Sequence, residues 1–242
     1  GRYNFQIIRY DFYRDVNIAL EAFLSGEYDI HIENDAVRWK TNLANNNNVI
    51  TKTLPRKYPS GIEAIIFNSR RHPFNDVNVR KAICLLFPYE FINKILFHNL
   101  LSRTYGAWDN SYLKATTILN RTSLNILSKY KDQISIRALE VTNINKEEDK
   151  RILLKNALNL LKKSDWNIEK NILVNKQNNK QLSFSVLTNQ PRMERLLLIW
   201  AQQLKKIGIK MKVLITDSAQ YQYRLQKFDF DAIVFKYNMS LS

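Results

Sequence analysis

"FNSRRHPFNDVNVRKAI", residues 67–83, decides how this chain is read. Arg70, Arg71, Arg80 and Lys81 crowd around His72 and Pro73. One reading is a grip on a polyanion, since clustered basic side chains near aromatics hold single-stranded nucleic acid. The other is a lead-in to a helix. Pro73 cannot lie inside a helix, and Asp76 is a good N-cap for "VNVRKAICLLF". Val77, Val79, Ile83 and Leu86 then form an apolar face, with Arg80 and Lys81 elsewhere on the helix.

Working outward, "GIEAIIFNS" (61–69) reads as the strand before this turn, and "YEFINKILFHNLL" as a further helix once Pro88 has ended the first. Upstream, "FQIIRYDF" (5–12) is rich in strand formers and "YDIHIE" alternates like a strand. Between them "RDVNIALEAFLSGEYD" has helical spacing, with Asp15 as N-cap and Gly26 just past the C-terminus. "NDAVRWKTNLANNNN" predicts a short helix running into a loop, and "VITKTL" a strand. Residues 102–148 are weakly patterned and read as long connections with short elements. From 150 onward the order is helix, strand, helix, strand, helix, strand: "EEDKRILLKNALNLLKKSDW", "LSFSVLT", "RMERLLLIWAQQLKKIG", "IKMKVLIT", "SAQYQYRLQKF" and "FDAIVF". That alternation predicts an α/β fold.

Bulk properties restrict function. Of 242 residues, 45% are hydrophobic, enough to bury a core. The net charge of +15 fits a nucleic-acid or anionic-surface binder. It equally fits a composition biased to Lys and Asn along the whole chain, as in "NNNN" (45–48) and "KQNNK" (176–180). A contiguous positive face favours the first, scattered charge the second.

Catalytic motifs are absent. No nucleophile elbow, zinc-protease helix, phosphate-binding loop or Gly-rich dinucleotide turn occurs, and five glycines leave no phosphate cradle. His31, His72 and His98 are far apart in sequence and read as structural. Asp229 and Asp231 share a strand face, but at the start of a strand they read as a loop-closing, water-facing pair. Neither an enzyme, a metal site nor a cofactor is expected. Cys84, the single cysteine, reads as an inert core thiol. Trp166 and Trp200 read as helical core, whereas Trp39, Tyr105, Trp108, Tyr112 and Tyr237 lie among Asn and Ser. Aromatics beside amides suit the holding of a peptide, offering apolar area and hydrogen bonds together.

Several motifs in order, "YDFYRDVNIALEAFLSGEYDIHIENDAVRWKT", "FNSRRHPFNDVNVRKAI", "FPYEFINKILF", "SRTYGAWDNSYL" and "QQLKKIGIKMKVLITDSAQYQYRLQKFDFDAIV", resemble the family 5 extracellular solute-binding proteins. The resemblance is close to the Yej-type peptide-binding branch, which is also associated with import of microcin C. It implies a two-lobed periplasmic protein, a monomer that captures a peptide and delivers it to an inner-membrane ABC permease, with no nucleic acid involved. Residues 1–55 would be a remnant of the first lobe. Residues 56–242 would be the second, an α/β domain of the periplasmic-binding-protein type truncated at its C-terminus. The ligand-facing residues implied are Asn34 and Trp39 near the lobe junction, then Arg103, Tyr105, Trp108 and Asn110, and Tyr237, Asn238, Met239 and Ser240. Arg80 is implied as a structural partner for carboxylates or carbonyls. Two departures stand out: Pro88 where an Asp is usual, and "SDW" (164–166) where the pattern has a Gly, as in "AGW".

Overall fold

In the computed structural model, residues 4–44, 46–54, 58–59, 61–104, 106–114, 121–134 and 149–240 are described. The chain divides into two compact units, Gly1–Pro55 with Asn93–Leu101, and Arg56–Ile92 with Ser102–Ser242.

In the first unit, α1 (Val16–Leu24) starts at Asp15, whose carboxylate accepts from the Asn17 and Ile18 amides and so satisfies two donors left open by the first turn. It ends before Gly26, where φ is +85°. A single turn, α2 (Ala36–Arg38), leads into a π-helical turn at Trp39–Leu43. The strands expected over 5–12, 28–33 and 49–54 do not form: none of these residues joins a ladder. A strand is completed only by a neighbour that takes its N–H and C=O groups, and the described residues of this unit supply none.

The second unit holds a four-stranded sheet in the order β1 (Ile62–Phe67), β6 (Ala232–Tyr237), β4 (Ser183–Thr188), β5 (Lys210–Ile215). β1 runs antiparallel to β6, while β6, β4 and β5 are parallel. β4 has a neighbour on each edge, and its burial runs from Phe184 through the apolar Val186 and Leu187 to Thr188. Its two faces meet different partners. On one, Leu187 and Ile233 pack with Tyr221 of α8 (Ser218–Gln226) and with Phe230. On the other, Phe184 meets Phe74 edge-on at 5.0 Å and Trp200 of α7 (Pro191–Lys205) at 6.1 Å. α3 (Val77–Leu85) packs on α6 (Lys150–Lys163) through Val79, Ala82, Ile83, Ala157 and Leu161. Val77 and Ile152, expected in those stripes, face water, and Ala82 takes the inner place. α4 (Tyr89–Phe97) follows Pro88, whose carbonyl accepts from the Ile92 amide, and α5 (Arg121–Ser128) lies in the weakly patterned stretch.

The termini of these helices follow their sequence. α6 is capped by Asp149 and closes on Lys162 and Lys163. α7 begins at Pro191 and ends in a Schellman turn, with Gly208 at φ +81° donating to Lys205 O and Ile209 donating to Leu204 O. Two expectations are corrected. Trp166 is buried but begins a strand, β2 (Trp166–Glu169), paired antiparallel with β3 (Ile172–Asn175), a hairpin whose alternation is too short to read in sequence. Cys84 sits at an exposed position of α3, although desolvation pushes its thiol up, against the pull of Arg103 and Arg80.

Candidate ligand-facing site

The decisive stretch is scaffold. Asn68 donates through its amide to the carbonyls of Phe228 and Phe230, while its own backbone N–H reaches Asp231 O. The Arg70 guanidinium lies 4.0 Å from the centre of the Phe228 ring. Arg71 pairs with Asp229 at 2.8 Å and approaches Asp231 at 3.8 Å; Arg224 also holds Asp229. Asp231 accepts from the amide and hydroxyl of Ser185 in β4. Arg80 donates to the carbonyls of Phe74 and Asn75. The bond from Arg71, with the field of Arg224, holds the Asp229 carboxyl below the usual carboxylate range against a smaller desolvation effect. Arg70, Arg71 and Arg80 are thus engaged with a ring, carboxylates and carbonyls. They lock the β1–α3 turn onto the start of β6.

Asn34 and Trp39 belong to the first unit, where the carboxylate of Glu33 organises the backbone. Glu33 accepts from Arg38 Nε at 2.9 Å and Nη2 at 3.1 Å and from the Asp35 amide at 2.7 Å, with His31 Nε2 3.6 Å away. Burial opposes its ionisation, but the Arg38 and Asp35 hydrogen bonds outweigh it, and the pKa falls. Asp35 then caps α2 through the amides of Val37 and Arg38. Asn34, between these two carboxylates, is thereby turned outward and exposed, and Trp39 is half-buried at the start of the π-turn.

In the second unit, Arg103 places its guanidinium 5.5 Å from the Tyr89 ring centre. Trp108 is exposed within a turn closed by Asp109 N–H to Gly106 O and by the Ser111 hydroxyl to Trp108 O. Asn110 has φ +67°, in the left-handed region that asparagine tolerates, and its side chain donates to Tyr58 O at 3.1 Å. Tyr105 lies outside the described residues. At the far end of β6, Tyr237 pairs with Ile62, is half exposed, and packs edge-on against Phe235 at 4.6 Å. Gly61 (φ +69°) touches the Tyr237 carbonyl so closely that any Cβ there would overlap it. Asn238 and Ser240 are exposed and Met239 half-buried.

Asn110 and Tyr237 each meet residues at or just before the start of β1. Asn110 holds Tyr58, and Tyr237 holds Gly61 and Ile62, three to four residues further along. Sequence reasoning missed these contacts, because Tyr58 contributes a backbone carbonyl and Gly61 the absence of a side chain. It also missed Arg192, which reaches Glu63 across from β1. Tyr237 and the residues after it present an aromatic face, an amide and backbone groups at the C-terminal end of β6. Among the described residues no three His, Cys, Asp or Glu side chains converge on a metal position.

The chain is 31% identical to the probable peptide-binding protein YejA of Agrobacterium fabrum, over 97% of this chain and 40% of that one. It is 31% identical to the YejA protein of Escherichia coli, over 96% and 40% respectively. Among solved structures it resembles the oligopeptide-binding protein AppA of Bacillus subtilis, determined with a nonapeptide (TM-score 0.62, 22% identity, 93% of this chain and 40% of that chain). A Thermotoga maritima oligopeptide-binding protein superposes with a TM-score of 0.64 at 15% identity, over 96% and 40%. The mixed α/β fold thus matches part of these proteins, and the chain spans about two-fifths of its curated relatives' length. No helix among the described residues is long and apolar enough to cross a membrane. Since the model for bacterial extracellular solute-binding proteins, family 5 (middle region), matches from residue 1 to residue 242, the chain belongs to that family, whose members bind solutes rather than transform them.

Proposed function

We propose that the chain is part of the peptide-capturing component of an ABC importer, working in the periplasm and passing its ligand to an inner-membrane permease as a monomer. In this reading residues 56–242 belong to the second lobe and residues 1–55 to the first. The observation that carries this reading is the likeness, along nearly the whole chain, to a relative named as a probable peptide-binding protein. The aromatic and amide surface around Tyr58 and Gly61 supports it. Trp108 and Tyr237 stack on the peptide, Asn110, Asn238 and Ser240 pair with its backbone, Met239 lines a side-chain pocket, and Arg103 meets a carboxylate. Tyr105 belongs with the first of these groups, and Asn34 and Trp39 contribute from the first lobe. Hinge closure of the whole protein would select the ligand.

Native mass spectrometry of the chain with a mixed pool of short peptides tests this. Weak peptide adducts are expected, falling about tenfold in Trp108→Ala or Tyr237→Ala, about the loss of one good aromatic contact. Absence of adducts at millimolar peptide, together with salt-dependent retardation of single-stranded DNA, would replace the reading with a polyanion binder.

A further inference from the structure

A second concavity lies at the opposite end of the same sheet from Tyr237. β4 and β5 begin there, and a groove of about 650 Å³ opens between the start of β5, the start of β3 and the last two turns of α7. That volume is within the range of small-molecule sites. Its walls are Ile172, Leu198, Ala201 and Met211. Leu198 is 47% exposed and Ile172 40%, so two large apolar side chains stay wet on one concave surface.

Charge selects the class of occupant. Lys205 and Lys210 are the ionisable residues of the lining, and no carboxylate joins them. Among the described residues neither lysine has an acidic group within ion-pair distance, as holds for the other described lysines, so what marks the groove is two such lysines with no carboxylate beside them. The α7 C-terminus beside them is self-satisfied, because the Gly208 and Ile209 amides take the Lys205 and Leu204 carbonyls. The two ammonium groups are therefore not consumed by the helix end. The groove itself is held open by backbone: Gly208 lies against the backbone of Asn171, Ile172 and Leu173, and any Cβ there would collide. Gln181 donates to Gly208 O at 2.9 Å and fixes the same junction.

We infer that this groove binds a free, monomeric amphiphilic carboxylate, its alkyl chain along Leu198, Ile172 and Met211 and its head group at Lys205 and Lys210. The site is separate from the peptide surface and does not depend on it.

The three methionines supply the test, since Met211 lines the groove while Met193 and Met239 do not. Dodecanoate, below its micelle concentration, is titrated into chain labelled with ¹³C at the methionine methyls. A saturable shift confined to Met211 is expected. The double variant Lys205→Glu/Lys210→Glu, both exposed positions, should weaken it at least tenfold with an unchanged circular dichroism spectrum. An unmoved Met211 signal, equal shifts at all three methionines, equal affinity in the double variant, or equal binding of 1-dodecanol would each overturn the inference. Ala201→Trp, which fills the groove without changing charge, should abolish the Met211 shift. If that variant folds and the shift persists, the chain does not lie in the groove.

Discussion

Two segments with strand-like sequences end in opposite conditions. In the first unit "FQIIRYDF" and "YDIHIE" leave Ile7 82%, Phe12 94% and Ile32 75% exposed, with no ladder. In the second unit "LSFSVLT" becomes β4, with Phe184, Val186 and Leu187 sealed between β5 and β6. Composition does not separate them, as both are rich in β-branched and aromatic residues. Neighbours do. β4 has a partner on each edge and a helix on each face, so its apolar side chains are buried. The exposed segments have the local propensity without the surroundings that turn propensity into structure.

The largest test of this contrast is amide hydrogen exchange. Backbone amides of β4 and β6 are expected to exchange only through opening of the whole second unit, slowed by at least about 10³. Amides over 5–12 and 28–33 should exchange near the free rate. Comparable protection in the two would break the comparison. Next in size are side-chain truncations followed by urea unfolding. Trp200→Ala, removing a ring packed on Phe87 and Phe184, should cost about 3–5 kcal/mol, whereas Ile32→Ala should change stability by less than about 0.5 kcal/mol.

Much of the second unit is legible in sequence because several signals agree. Asp76 caps α3 as its sequence predicts and Gly208 closes α7, while Asp149 stands before the first turn of α6 as its cap and Pro191 opens α7 one residue earlier than read. The β2–β3 hairpin is not legible: four-residue strands carry too little alternation, and their turn uses Lys170 and Asn171 at φ +48° and +65° rather than glycine. The candidate site is legible in side chains but not in its backbone contacts. Trp108, Asn110 and Tyr237 stand out as aromatics and amides in polar company, while Tyr58 acts through its carbonyl and Gly61 through close approach. The departure "SDW" now has a physical meaning. Asp165 has φ +62°, the conformation a glycine would adopt freely, and it keeps that turn through Gln177, which donates to its carboxylate at 3.0 Å.

Two smaller effects sharpen the picture inside the second unit. Asp165→Ala should lose about 1–2 kcal/mol, because alanine has neither the tolerance nor the side-chain bond, while Asp165→Gly should be neutral or slightly stabilising; thermal melts of both variants decide it. Acid titration reads Asp229. Its folded pKa is depressed, so its contribution is complete above the unfolded value of about 4 and is lost as pH falls through the folded value. Denaturant midpoints between pH 5 and 2 should therefore fall less steeply in Asp229→Asn than in the parent chain. Equal slopes would show that the Arg71–Asp229 pair adds nothing to stability.

The strand order also sets a schedule for biosynthesis. Among the described strands β1 is made first and β6 last, yet they are neighbours, and Asn68 takes its carbonyl partners from Phe228 and Phe230. At about 5–20 residues per second, the ribosome delivers the partner of β1 on the order of ten to thirty seconds after β1 itself. Through that interval Ile62–Phe67 is a nascent strand with an edge left open until β6 emerges.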